Sequence, residues 1–192
     1  MKVLALVGSP RKGSNTDILT DEFLCGAREA GAEVEKVYLD DLCIRPIGEV
    51  ADKPSARSDS RADDDLPALL ERFLAADVVV IASPVYWQGV SAQMKCFVDR
   101  WSAYVGQESF KRGFAGKGFA VLCPCGAPDE QKQYEWVTGQ VKGWIGWLGG
   151  RYLGDVCVSA GTRAAVARMP EVLGKARELG GKCAAEMRGG GG

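Results

Sequence analysis

Ser9, Arg11, Ser14, Asn15 and Thr16 crowd one short loop, directly after the apolar run 3–7 and ahead of a helical pattern. A helix that begins there offers unpaired backbone N–H groups and the positive end of its dipole. Hydroxyls and a guanidinium around such a terminus suit a phosphate monoester. Two other phosphate loops are excluded. Gly8 and Gly13 have the spacing of a P-loop, but Ser14-Asn15 stands where Lys-Ser/Thr is required. Pro10 occupies the second glycine of the dinucleotide fingerprint. Asp17 must turn its carboxylate away from any bound anion. The alternative is a plain capped strand–helix turn.

A second constellation follows another apolar run: Ser83-Pro84-Val85-Tyr86-Trp87-Gln88-Gly89. Pro84 stiffens this loop and Gly89 allows a turn or a close backbone approach. Tyr86 and Trp87 offer flat surfaces to a planar ligand, the alternative being ordinary packing. A phosphate socket beside an aromatic wall describes FMN. The chain has no histidine, which excludes Ser-His and Cys-His catalysis and histidine general-base work. A cofactor then carries the reaction, and no side chain is named as catalytic.

The elements that position these loops alternate. Apolar strand candidates at 2–7, 33–39, 77–82, 118–123 and 151–158 are interleaved with helical patterns at 16–30, 64–75, 91–104, 130–148 and 170–187. That order gives right-handed βαβ units and a flavodoxin-like α/β fold, a three-layer sandwich around a five-stranded parallel sheet ordered 2-1-3-4-5. Its crevice opens beyond the first and third strands, the two that feed the unusual loops. One domain over 1–188 is expected, with a disordered tail at 189–192. The polar segment 45–63 lacks apolar periodicity and reads as a flexible loop, or as a lid.

Composition narrows the class further. Of 192 residues, 46% are hydrophobic and 26% charged, and the net charge of −1 gives no footprint for nucleic acid or an anionic membrane. No stretch approaches membrane-spanning length, and the start lacks a cleavable signal pattern, so a cytoplasmic location is expected. The seven cysteines are scattered and sit mostly in apolar runs, as reduced core thiols. Cys123-Pro124-Cys125 is read as core and loop rather than as a redox pair. Trp136, Trp144 and Trp147 fall within one quadrant of a helix, facing either the core or a subunit interface. Lys111 and Arg112, with Lys117, are either solvated surface or a dinucleotide phosphate contact.

Gly8-Ser-Pro-Arg-Lys-Gly-Ser-Asn-Thr16 and Ser83-Pro-Val-Tyr86, with Gly89, Ser91, Lys95 and Asp99-Arg100, resemble the flavodoxin-like NAD(P)H-dependent FMN reductases and the related iron–sulfur flavoproteins. The resemblance implies that Ser9, Arg11, Ser14, Asn15 and Thr16 hold the FMN phosphate. Pro84, Val85, Tyr86, Trp87 and Gly89 would line the ribityl chain and ring, and Pro124, Cys125 and Gly126 the ring's other edge. It further implies hydride transfer from NADH or NADPH through FMN to a second acceptor (a quinone, flavin, nitro compound or protein), and a homodimer or homotetramer. Flavodoxin-type electron transfer without NAD(P)H oxidation, or a regulatory flavin binder, are the rival readings. The chain departs from the iron–sulfur members. Only Cys43 stands where they carry four clustered cysteines, and none occurs between Ile44 and Lys95, so no metal site is expected.

Overall fold

Strand and helix alternate as the sequence pattern requires, and the strands join into one parallel sheet. The structure, a computed structural model, describes residues 1–53 and 56–189. Its strands are β1 (Lys2–Val7), β2 (Glu33–Tyr38), β3 (Val78–Ala82), β4 (Gly118–Cys125) and β5 (Arg151–Ser159), in the flavodoxin-like order β2-β1-β3-β4-β5.

Successive side chains of a strand point to opposite faces, so the sheet feeds two cores. Leu4, Leu6, Val79, Ile81, Phe119 and Val121 pack toward α2 (Leu66–Ala75), α3 (Ala92–Asp99), α4 (Glu108–Phe114) and α5 (Tyr134–Trp147). Val3, Ala5, Val7, Val78, Val80 and Leu122 pack toward α1 (Asn15–Glu29) and α6 (Pro170–Gly189). Burying each such Val, Leu or Phe contributes roughly 1.5–3 kcal/mol. The first core is aromatic, with ring centroids of Phe73 and Phe97 5.5 Å apart and of Phe114 and Phe119 5.0 Å apart. The second depends on a close helix crossing. A Cβ on Gly26 would lie 1.9 Å from the Arg177 carbonyl oxygen, and one on Gly180 1.9 Å from that of Phe23. Only glycine lets α1 and α6 touch there.

Several boundaries differ from the sequence expectation, each for a local reason. β4 continues through Pro124 and Cys125, in register with Val158 and Ser159 of β5, where a loop was expected. The helix expected from 130 starts at Tyr134, because Lys132 adopts a left-handed conformation (φ 45°) after the 3₁₀ turn Asp129–Gln131. The short helix α4 was not anticipated, since Gly113 dilutes its helical composition; Phe110 and Phe114 bury it all the same. Lys117, weighed as a dinucleotide contact, is buried and donates from Nζ to the carbonyls of Leu74 (3.2 Å) and Ala76. Burial lowers its pKa to about 8. On α5, Val137, Val141 and Ile145 face the core, while Trp136 and Trp147 are exposed and Trp144 is half-buried.

One buried guanidinium gathers the segment after β2. Arg100, fully buried, donates from Nε to Asp59 (3.0 Å), from Nη1 to Asp64 (2.6 Å) and to the Arg45 carbonyl (3.0 Å), and from Nη2 to the Arg61 carbonyl (2.9 Å). Burial alone would raise the Asp64 carboxyl, but Arg100 and the N–H groups of Arg45 and Leu66 hold it at about 2. Pro54 of this segment and Gly190–Gly192 of the expected tail lie outside the described residues; Gly189 closes α6. Among the described residues no helix is long and apolar enough to cross a membrane.

Candidate functional site

A cleft of about 190 Å³ opens at the carboxyl ends of β1, β3, β4 and β5, where the strand order reverses and open α/β sheets bind ligands. Its first wall is the loop entering α1, with Ser9, Arg11, Ser14, Asn15 and Thr16. Pro84, Val85 and Tyr86 form the second, and Pro124, Cys125 and Gly126 the third. These are residues singled out in the sequence. Trp87 and Gly89 are not among the lining residues.

The first wall is preorganised. The Ser9 hydroxyl accepts from the Arg11 N–H (3.2 Å) and lies 3.1 Å from the Ser14 hydroxyl. Ser14 holds the N-cap position with an extended backbone, yet its side chain makes no capping hydrogen bond. Among the described residues no side chain therefore competes with a ligand for the donors of the first turn. Gly13 takes φ 70° to close the loop, a conformation that disfavours any side chain. Asp17 points away from the cleft, as the sequence demanded. Its carboxylate accepts from the Gly13 N–H (2.6 Å), Lys36 Nζ (2.8 Å) and the Tyr38 hydroxyl (2.7 Å). Burial would raise this carboxyl, but those three donors outweigh it and hold its pKa below the ordinary value.

Asn15 lines the cleft with a different task. Its Nδ2 donates to the carbonyls of Ala160 (3.0 Å) and Thr162 (2.8 Å), and its Oδ1 accepts from the Val166 N–H (3.2 Å). The side chain thus ties α1 to the loop after β5. That loop supplies a fourth wall, Ala160, Gly161, Thr162 and Arg163, which the sequence reading missed. The signal was present: Gly161-Thr162-Arg163 repeats the small, hydroxyl and arginine character of the first loop. Further ties hold the third wall. The Ala160 N–H donates to the Cys125 carbonyl (2.7 Å), the Ser159 hydroxyl to the Ala127 carbonyl (2.6 Å), and the Ala127 N–H to Cys125 Sγ (3.3 Å).

The aromatic loop is built otherwise. Tyr86 and Gly89 exchange two backbone hydrogen bonds, of 2.9 and 3.0 Å, enclosing a two-residue turn. Trp87 (φ 50°) and Gln88 (φ 63°) are both left-handed there, in positions that favour Asn-Gly. Each non-glycine residue so placed costs roughly 1 kcal/mol. Trp87 is fully exposed at the tip, and Tyr86 is 42% exposed. Arg100, matched to the flavin helix by resemblance, belongs to the buried network described above rather than to the cleft.

The sequence profile of the NADPH-dependent FMN reductases matches residues 1–165. The chain belongs to that family. An iron–sulfur flavoprotein of Archaeoglobus fulgidus is 34% identical over 134 residues, covering 70% of this chain and 60% of the relative. An FMN-dependent NADH:quinone oxidoreductase of a Bradyrhizobium strain is 34% identical over 96 residues, covering 46% and 47%. The chain spans about half the length of the curated relatives it matches. In fold it is similar to RosB, solved with a formyl-riboflavin phosphate intermediate, with a TM-score of 0.80 at 20% identity over 98% of this chain and 79% of that one.

Proposed function

We propose that this chain binds FMN in the cleft and acts as an oxidoreductase, taking hydride from NADH or NADPH and passing electrons to a small planar acceptor such as a quinone. The observation that carries the reading is the convergence, in a member of this family, of Ser9, Arg11, Ser14 and Thr16 at the start of α1 with Tyr86 on the loop after the neighbouring strand β3. The donor set fits the cofactor. Hydroxyls, helix N–H groups and a guanidinium match a phosphate dianion, and among the described residues no carboxylate lines the cleft to repel it. Tyr86 and the peptide edges of Pro124, Cys125 and Gly126 match a planar, polar-edged ring. When bound, FMN supplies acceptance of a hydride and its onward transfer.

The chain's own residues orient and neutralise. Arg11 serves as a counter-ion rather than as an acid or base. The walls fix where a nicotinamide and an acceptor can stack in turn, which lowers the barrier by positioning. Tyr86 edges that open side, with Trp87 on the exposed turn beyond it. The same reading includes a homodimer or homotetramer, supported by the outward-facing Trp136 and Trp147.

Two measurements on the purified protein test this. Visible flavin absorbance, present on isolation or after incubation with FMN, is expected, together with steady-state oxidation of NADH or NADPH when a quinone, free flavin or nitroaromatic is supplied. A colourless protein that fails to take up FMN overturns the reading. A flavin-loaded protein that oxidises neither nucleotide with any acceptor makes it an electron-transfer protein instead.

A further inference from the structure

Arg163 enters the cleft from the far end of the chain, and its placement is imposed by the fold. The loop carrying it is fixed by three hydrogen bonds to the Asn15 side chain, with the carbonyls of Ala160 and Thr162 and the N–H of Val166 as partners. Arg163 Nη2 donates to the Lys12 carbonyl at 2.7 Å, which lays the side chain across the α1 loop. A Cβ on Gly13 would stand 3.9 Å from that same nitrogen. Ala164, the next residue, is held left-handed at φ 57°, a conformation an alanine adopts only when its surroundings require it. One donor is engaged by Lys12, and a guanidinium has four more.

We infer that Arg163 is a second cation for the phosphate monoester of the bound flavin, positioned by Asn15, so that the site closes on its ligand from two segments far apart in the sequence. The inference rests on the flavin reading above and adds to it a residue and a selectivity. Arg11 lies on the loop that enters α1; Arg163 comes over that loop from β5. Two guanidinia on one phosphate favour the dianion over the monoanion and favour FMN over riboflavin, which presents a neutral hydroxyl at that end. Arg is the suitable residue, since its planar fork can hold the Lys12 carbonyl and a phosphate oxygen together.

The test is a pair of fluorescence titrations, with FMN and with riboflavin, on the wild-type chain and on Arg163→Gln and Arg163→Lys. Arg163→Gln should weaken FMN about tenfold, the loss of one charge-assisted contact at an exposed position, and leave riboflavin within about twofold. Arg163→Lys should recover part of the loss. FMN affinity should rise less steeply between about pH 5 and pH 8 in Arg163→Gln, because the phosphate becomes a dianion near pH 6. Equal weakening of both flavins, or unchanged FMN binding, overturns the assignment. So does a higher KM for NADPH but not NADH with FMN affinity intact, which would hand the guanidinium to the dinucleotide. Failure of the wild-type chain to bind FMN would instead remove the flavin reading itself.

Discussion

The two ends of the cleft are built on opposite terms. At the α1 end Ser9, Ser14, Asn15 and Thr16 are all buried, Ser9 and Ser14 are hydrogen-bonded to each other, and Asn15 is tied to a distant loop. At the aromatic end Trp87 stands free on a turn whose two central residues are both strained. A buried, satisfied polar end holds its shape before the ligand arrives, so it gives affinity and orientation without paying for reordering. An exposed, strained aromatic end has few contacts to lose, which suits a place where donor and acceptor take turns. On the proposed flavin reading, retention of the cofactor belongs to one end and exchange of substrates to the other.

The comparison breaks most readily at the phosphate end. Ser14→Glu sets a carboxylate at the helix terminus against the phosphate and should lower FMN affinity by about 100-fold or more, read by loss of flavin absorbance after gel filtration. Arg11→Glu, at an exposed position, should move in the same direction with no change in the melting temperature of the flavin-free protein. Asn15→Ala should cost roughly 1–3 kcal/mol in urea unfolding, since the N–H of Val166 and two carbonyls lose their partner. Equal stability would show that the β5 loop holds itself.

The aromatic end should answer differently. Replacing Trp87-Gln88 by Asn-Gly suits the left-handed turn and should stabilise by about 1 kcal/mol in the same unfolding measurement. FMN affinity should stay within about twofold while the KM for a quinone rises; a large loss of FMN would erase the division of labour. The smallest effect is in pH. The Asp17 carboxyl is depressed in the folded state, so its contribution is complete above the unfolded value of 3.8 and is lost as pH falls through the folded one. Thermal stability should decline below about pH 4 and decline less in Asp17→Asn.

Strand order and the two main walls were legible because they rest on local pattern. Continuous apolar runs such as Val78-Val-Val-Ile81 mark buried strands, and Ser9 to Thr16 announce a helix terminus by composition. What escaped depended on distant partners. Nothing near Arg163 reveals that Asn15 fixes its loop, and nothing near Trp87 reveals that a two-residue turn carries it out of the cleft. Arg100 shows the same limit. Its neighbours place it on a helix beside the flavin loop, but the carboxylates that bury it come from the segment after β2. The aromatic stripe of α5 was ambiguous in principle, because helical spacing states which residues share a face but not what that face meets.

Asn15 and its partners are 145 to 151 residues apart in sequence, and that separation has a consequence in time. On a ribosome the first helix is complete roughly 7 to 30 seconds before the loop that clamps it is made. Through that interval the growing chain carries the α1 loop without the wall that Asn15 fixes. Closure waits for β5 to join the sheet edge and for α6 to settle its glycine crossing against α1. On the proposed flavin reading, a ligand bound then would bridge the α1 loop and the loop after β5, the two segments that Asn15 joins.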